Sequence, residues 1–400
     1  MRTLAFLLLL PACGTEVVLT DPATLSGPRA AASDTDPPDA LVDCDGGGDF
    51  ETITAAIAAA ADGDLLHVAP CTYEEAIDFD GKSLRIVSTD GSADTILQPR
   101  GGGAAVRAVL GEGTGTRLEG FTISGGGSGS EATVNVDFAS LRLVDVVIED
   151  GRGWTTLYGS SADVELSGVT IAGNRTGYGI AIYMSRGGLV ASDIYVDCDS
   201  GSVGAELGHG SAVFDRAEFA CRGAVATNWA HAVGRIQRSV LDGGVTIESE
   251  DDHYDDYVTL ANTVVSGGVS ALYGSVVVRN SVVSGGIALS QVYLASSIEG
   301  SVVSGATCGI NADTDDFTIR NNVFWGNTAN VCGLPVEPVG TNDNVAGDPL
   351  FTDSAGGDWS LLAGSPGIDG GPDEEGYADV DGTRNDIGVY GGPLSIGGGW

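Results

Sequence analysis

Three of the four histidines, His209, His231 and His253, fall at intervals of 22 and 22 residues. Around them stand Glu206, Trp229 and Glu248, in the short stretches GAELGH, ATNWAH and TIESED, with Tyr183 one interval earlier. Aromatic walls with two carboxylates between them are what sugar binding or glycoside cleavage requires, and Tyr183, His209, Trp229, His231 and His253 form the expected ligand-binding set. If each interval is one turn of a stacked fold, Glu206 and Glu248 lie about 9–10 Å apart, near the roughly 6.5–9.5 Å an inverting glycosidase uses for its acid and base. A lyase fits less well. It needs a basic group to take a proton and cations to hold the developing charge. The chain's only lysine, Lys82, is distant in sequence, which leaves Arg186, Arg216, Arg222 and Arg235.

A second cluster is the acidic run from Glu248 to Asp256, with six carboxylates in nine residues. Asp251, Asp252, Asp255 and Asp256 offer hard oxygen ligands to a cation such as Ca2+, although the glycine and closing glutamate of an EF-hand are missing. The other reading is a solvated turn. Walker A, G-x-S-x-G and H-E-x-x-H patterns are absent, and the cysteines lack zinc-ligand spacing. The net charge is −37, from 18 basic and 55 acidic residues. That excludes a basic face for nucleic acid and disfavours anionic polysaccharides unless a cation bridges them.

What must position these groups is a repeat. The fourth residue of each of ten short segments is apolar: Ile123, Ile148, Ile171, Val196, Phe219, Leu241, Val265, Val283, Val303 and Phe324. The steps between them are 25, 23, 25, 23, 22, 24, 18, 20 and 21 residues. The segments are rich in Val, Ile and Thr and are bounded by Gly, Asn, Asp and Ser, which is strand and turn chemistry with no helical period between. One such interval holds three short strands and three corners, the content of one coil of a parallel β-helix; a β-sandwich is the alternative, but it lacks so regular a period. The expected fold is all-β, a right-handed parallel β-helix of about twelve coils. Asn280, Asn321 and Asn322 recur just before the marked strands, where stacked amides would bond along the axis.

The same register pairs cysteines. Cys198 and Cys221 each follow a marked position by two residues. Neighbouring coils bring such positions within roughly 4.8 Å, inside the Cα range of about 4.4–6.8 Å that a disulfide needs. Cys44–Cys71 and Cys308–Cys332 follow by proximity. Bridges imply an oxidising compartment outside the cytosol.

Caps are needed at both ends of such a stack. At the front, Ile53, Ile57 and Ala60 define one face of a short helix that Asp49 would cap. The run DFETITAAIAAAADGDLLHVAPCTY, continuing to GKSLRIVS, resembles the entry to β-helices of the pectin-lyase-like class, in which a helix plugs the first coil. With the repeats, this resemblance covers most of residues 42–345. At the back, GDPLF, DWSL, GSPGID and DIGVYG resemble the C-terminal segment of bacterial surface β-helix proteins grouped as the choice-of-anchor Q family, with Gly367 where that family has Ala. The resemblance implies an exported, cell-surface protein and no reaction. Leu350, Phe351, Trp359 and Ile368 are expected to cover the last coil.

The chain begins Met-Arg-Thr, then Leu4 to Leu10 almost wholly apolar, then Pro11-Ala12-Cys13. This is too short to span a bilayer. It resembles the lipobox of bacterial lipoproteins, which implies acylation of Cys13 after removal of residues 1–12; a plain secretory signal cut near Ala12 is the alternative. Residues 13–41 read as a flexible tether, 42–345 as the β-helix and 346–400 as a C-terminal cap. The expected product is an exported, lipid-anchored cell-envelope or outer-membrane surface protein. It binds carbohydrate or serves structurally, or, alternatively, cleaves polysaccharide through Glu206 and Glu248.

Overall fold

A computed structural model describes residues 39–395, apart from 174–178, 199–202, 250–255, 293–295, 315–316, 336 and 375. The chain winds into a parallel β-solenoid of about twelve turns. Each coil contributes to three ladders, which we number in chain order. Sheet 1 runs from Ala40–Val42 through Leu65–Val68 and Arg85–Ser88 to Phe317–Arg320. Sheet 2 starts at Cys71–Tyr73, and sheet 3 at Ile77–Asp78.

Sheet 2 is the ladder of marked residues. Ile123 pairs with Ile148, Ile148 with Ile171, Ile171 with Val196, and Val196 with Phe219. The series continues through Leu241, Val265, Val283 and Val303 to Phe324. All ten are inside the core, at most 1% exposed. Stacking identical apolar positions gives each coil a buried floor and ceiling, and this is where most of the stabilisation resides.

From Leu118 onward the corner from sheet 1 to sheet 2 has one construction, whereas the two earlier coils make it with longer connections, as from Ile86 to Leu97. The residue three before each marked position takes positive φ: Gly120, Asp145, Gly168, Asp193, Arg216, Arg238, Asn262, Asn280, Gly300 and Asn321. A single left-handed residue turns the chain sharply, and Gly, Asn and Asp reach that region at least cost. Five residues therefore separate the core side chain of sheet 1 from that of sheet 2, as in Leu118 to Ile123 and Ile319 to Phe324. In these coils the variation in length falls at the other two corners.

One residue after that bend, an internal polar file runs along the axis. Ser239, Thr263, Ser281, Ser301, Asn322 and Asn344 are wholly buried. Most of their side-chain oxygens accept a backbone N–H from the coil before: Ser281 Oγ from Thr263 N at 3.2 Å, Ser301 Oγ from Ser281 N at 3.2 Å, Asn322 Oδ1 from Ser301 N at 3.0 Å, and Asn344 Oδ1 from Asn322 N at 3.1 Å. The expected amide ladder thus exists at Asn322, extended by serines. Asn280 and Asn321 point the other way.

All three expected disulfides form, Cys198–Cys221 as the register implies and Cys44–Cys71 and Cys308–Cys332 as proximity implies, with Cα separations of 4.6, 6.4 and 5.8 Å.

The plug is the helix Ile53–Ala59, with Ile53, Ala56 and Ile57 buried. Its cap is Thr52, whose side chain accepts from Ala55 N, and not Asp49, which instead accepts from Leu41 N. The second coil fixes the position: Glu75 accepts from Ile53 N and Thr54 N, while Lys82 Nζ donates to Ile57 O at the far end. A carboxylate at the helix N-terminus and a cation at its C-terminus both suit the helix dipole.

The C-terminal segment does not lid the last coil through the expected residues. Leu350 and Ile368 are 36% and 40% exposed. The segment folds back along the outer face of sheet 2 instead. There Ile387 and Val389 close over the outward row Val264, Val282, Val302 and Val323 to form a second apolar core, which Phe351 and Trp359 flank. Asn262 Nδ2 donates to Val389 O and Gly391 O, Asn385 Nδ2 donates to Asn280 Oδ1, and Asn321 Nδ2 donates to Gly370 O. The left-handed asparagines therefore serve as hooks for this strap. Tyr377 adds a hydrogen bond from its hydroxyl to buried Glu299 at 2.7 Å, beneath the guanidinium groups of Arg279 and Arg320.

Candidate functional site

Sheet 3 turns one residue in two outward. In register, its outward file reads Asp78, Arg107, Asn135, Tyr158, Tyr183 and Glu206. Charged groups hold the ends of this file and aromatic ones its middle. The Tyr158 and Tyr183 rings stack at 5.7 Å and 6°. Trp154, just before its strand, leans over them with centroids 4.9 Å from Tyr183 and 6.2 Å from Tyr158. Trp154, Tyr158, Asn135, Ser130 and Glu131 line an open cleft of about 840 Å³. Among the described residues Asn135 Oδ1 has no hydrogen-bond partner. Glu131 is exposed, its Oε2 4.0 Å from Arg107 Nη1.

Of the residues expected from sequence, Tyr183 and Glu206 lie on this file, paired in adjacent coils. Burial, and then the charge of Glu248, hold the Glu206 carboxyl above the usual glutamate range. Burial, then the charge of Glu206, likewise raises the Tyr183 phenol. Glu248 is exposed and belongs to the same sheet, but it sits two residues beyond Thr246, which occupies the outward file. Two rungs and two residues of offset put the two glutamate Cα atoms about 12 Å apart, wider than expected.

His209 and His231 occupy one corner position in successive coils, and their rings stack at 4.7 Å and 10°. His231 Nδ1 lies 3.6 Å from Asp256 Oδ2, and Asp256 also accepts from Ser249 Oγ at 2.6 Å. The third histidine, His253, lies outside the described residues, as do Asp251, Asp252 and Asp255 of the acidic run. Asp256 is described and is only 7% exposed.

Trp229 is a correction. It is wholly buried, packed edge-on against Phe214 at 6.2 Å, with its indole N–H donated to Thr227 Oγ1. The alternation along its strand decides this: Trp229 pairs with core Ile247, so Asn228 and not Trp229 faces outward. The groove wall assigned to Trp229 is supplied instead by Trp154 and Tyr158. Tyr158 was signalled by its 25-residue offset from Tyr183, equal to the step from Ile171 to Val196. Trp154 precedes its strand and carries no periodic signal.

Beyond Glu206 the face becomes smooth. A second cleft, of about 580 Å³, is floored by Gly244, Gly267, Gly268, Gly285 and Gly286, and its outward side chains Thr246, Ser270 and Ala288 are small. A Cβ at Gly267 would lie 2.4 Å from Gly244 N, so close approach of the coils accounts for glycine there.

No family model and no curated protein matches the chain. Among solved structures, a pectin methylesterase from carrot is similar at 12% identity and a TM-score of 0.27, over 81% of this chain and 95% of that one. That degree of similarity carries no residue role or activity across.

Proposed function

We propose that this chain is an exported, lipid-anchored β-helix that holds uncharged polysaccharide at the cell surface. The observation that carries this reading is the triad Trp154, Tyr158 and Tyr183 beside a cleft lined by Asn135, Ser130 and Glu131. Sugar rings present apolar C–H faces to aromatic rings and hydroxyls to neighbours such as Asn135 and Glu131. The carboxylates at the site and the net charge of −37 favour a neutral ligand over an acidic one. Trp154→Ala and Tyr183→Ala should each weaken binding to a neutral glycan by about tenfold, or about 1.4 kcal/mol. Calorimetry against cello-, xylo- and manno-oligosaccharides is the check, and unchanged affinity in both variants would remove the site.

Glu206 supplies a pH signature. Protonated, it donates a hydrogen bond to a sugar oxygen; ionised, it only accepts, and a ligand that covers it deepens the burial penalty on its charge beside Glu248. Its raised pKa keeps the protonated form above the ordinary glutamate range. Affinity should therefore be full at acid pH and fall as pH climbs through that raised value, and Glu206→Gln should flatten the profile. The same protonated carboxyl favours a second reading, general-acid cleavage of the bound glycan, with Glu248 as the base despite Cα atoms about 12 Å apart, its side chain having to reach inward to approach the roughly 6.5–9.5 Å of an inverting pair. New reducing ends that disappear in Glu206→Gln would establish it.

Export draws support from the three disulfides, which persist outside reducing compartments. The lipid anchor rests on the N-terminal pattern around Cys13. Cys13→Ser should shift the protein from the membrane to the soluble fraction of a bacterial host; retention in the membrane would exclude acylation as the anchor.

A further inference from the structure

The aromatic patch has an edge that the cleft does not use. Phe138 follows the strand Val134–Asp137 that carries Asn135, and it is 71% exposed. Leu110 holds the equivalent position one coil earlier, two residues past the Ala108–Val136 pair, and is 65% exposed. Phe138 sits at φ 50°, where a bulky side chain is sterically disfavoured and glycine is not. Nothing in the packing of the core calls for an aromatic ring there.

Trp154 and Phe138 stand on opposite rims of the sheet 3 face. Trp154 is level with Glu131, because Leu157 pairs with Val134. The seven steps from Glu131 to Phe138 span at most roughly 23 Å at about 3.3 Å each, the length of a short oligosaccharide. Along the axis the apolar surface is much shorter. One rung beyond Asn135 lies Arg107, ion-paired with Asp78 at 3.3 Å, and one rung beyond Tyr183 lies Glu206.

Resting on the sugar-binding reading above, we infer that the bound glycan crosses the β-helix transversely, from the Trp154 rim to the Phe138–Leu110 rim, and does not run along the axis. Phe138 then stacks on the far end of the chain. The clamp is long enough that a disaccharide reaches one rim only.

The test is a length series of neutral oligosaccharides, of about two to six units, titrated calorimetrically into the whole protein and two variants. Phe138→Gly should leave disaccharide affinity unchanged, lower hexasaccharide affinity at least fivefold, and unfold at the same urea concentration as the parent or higher. Phe138→Trp should retain the hexasaccharide affinity. Hexasaccharide binding that is insensitive to Phe138→Gly but lost in Trp154→Ala would overturn the transverse path and leave the cleft standing. A parent protein that binds no member of the series would overturn both readings.

Discussion

Asn322→Ala should destabilise the β-helix by about 3–5 kcal/mol. The side chain is wholly buried and makes three hydrogen bonds. Oδ1 accepts from Ser301 N at 3.0 Å, and Nδ2 donates to Ile298 O at 2.7 Å and to Asn344 Oδ1 at 3.0 Å. Alanine leaves the Ser301 N–H and the Ile298 carbonyl orphaned inside the stack, at about 1–3 kcal/mol each, with a small void besides. Asn322→Ser should recover part of the loss, because Ser281 and Ser301 already perform the accepting role at the same position in earlier coils. Urea unfolding followed by circular dichroism measures both. A loss below about 1 kcal/mol for the alanine variant would mean that water replaces the amide, and that the file is not a structural element.

Ending the chain at Gly347 should have a comparable effect with a different signature. Truncation removes Ile387 and Val389, whose burial is worth about 1.5–3 kcal/mol each, and the hooks on Asn262, Asn280 and Asn321. It also uncovers Val264, Val282, Val302 and Val323, four apolar side chains in register on consecutive coils. An uncovered β-branched stripe of this kind associates with copies of itself. The truncated protein should melt earlier and form concentration-dependent oligomers by light scattering, and Ile387→Asp should reproduce both effects more mildly. A truncated chain that stays monomeric with unchanged melting would show that the strap merely rests on the surface.

The solenoid and the Cys198–Cys221 pairing were legible because both depend on one quantity, the offset between coils. Ten apolar positions reveal that offset, and any residue at a fixed distance from them inherits a neighbour, as Cys198 and Cys221 do. The helix was legible from its apolar face, but its start was not: Asp49 and Thr52 are both good caps, and Glu75 of the next coil selects between them. Offset alone does not tell which face a residue takes. Trp229 has the right spacing and the wrong parity. The strap's place on sheet 2 is not legible, because its partners lie 49 to 129 residues away, as in Asn321 with Gly370 and Asn262 with Gly391, and no local pattern marks such a pairing. The aromatic cluster was half legible. Tyr183 announced itself, whereas Trp154 acquires its role only from the loop that carries it over the sheet.

From Leu118 onward, the constant five-residue corner between sheets 1 and 2 divides the molecule into a calibrated edge and two forgiving ones. Lengthening the stretch 98–104 between Leu97 and Ala105 alters only a loop, whereas one extra residue between Ile319 and Phe324 would invert every side chain that follows in that rung. Foreign peptides or reporters can therefore be grafted at the forgiving corners of many coils in turn, with spacing along the shaft set by the rung.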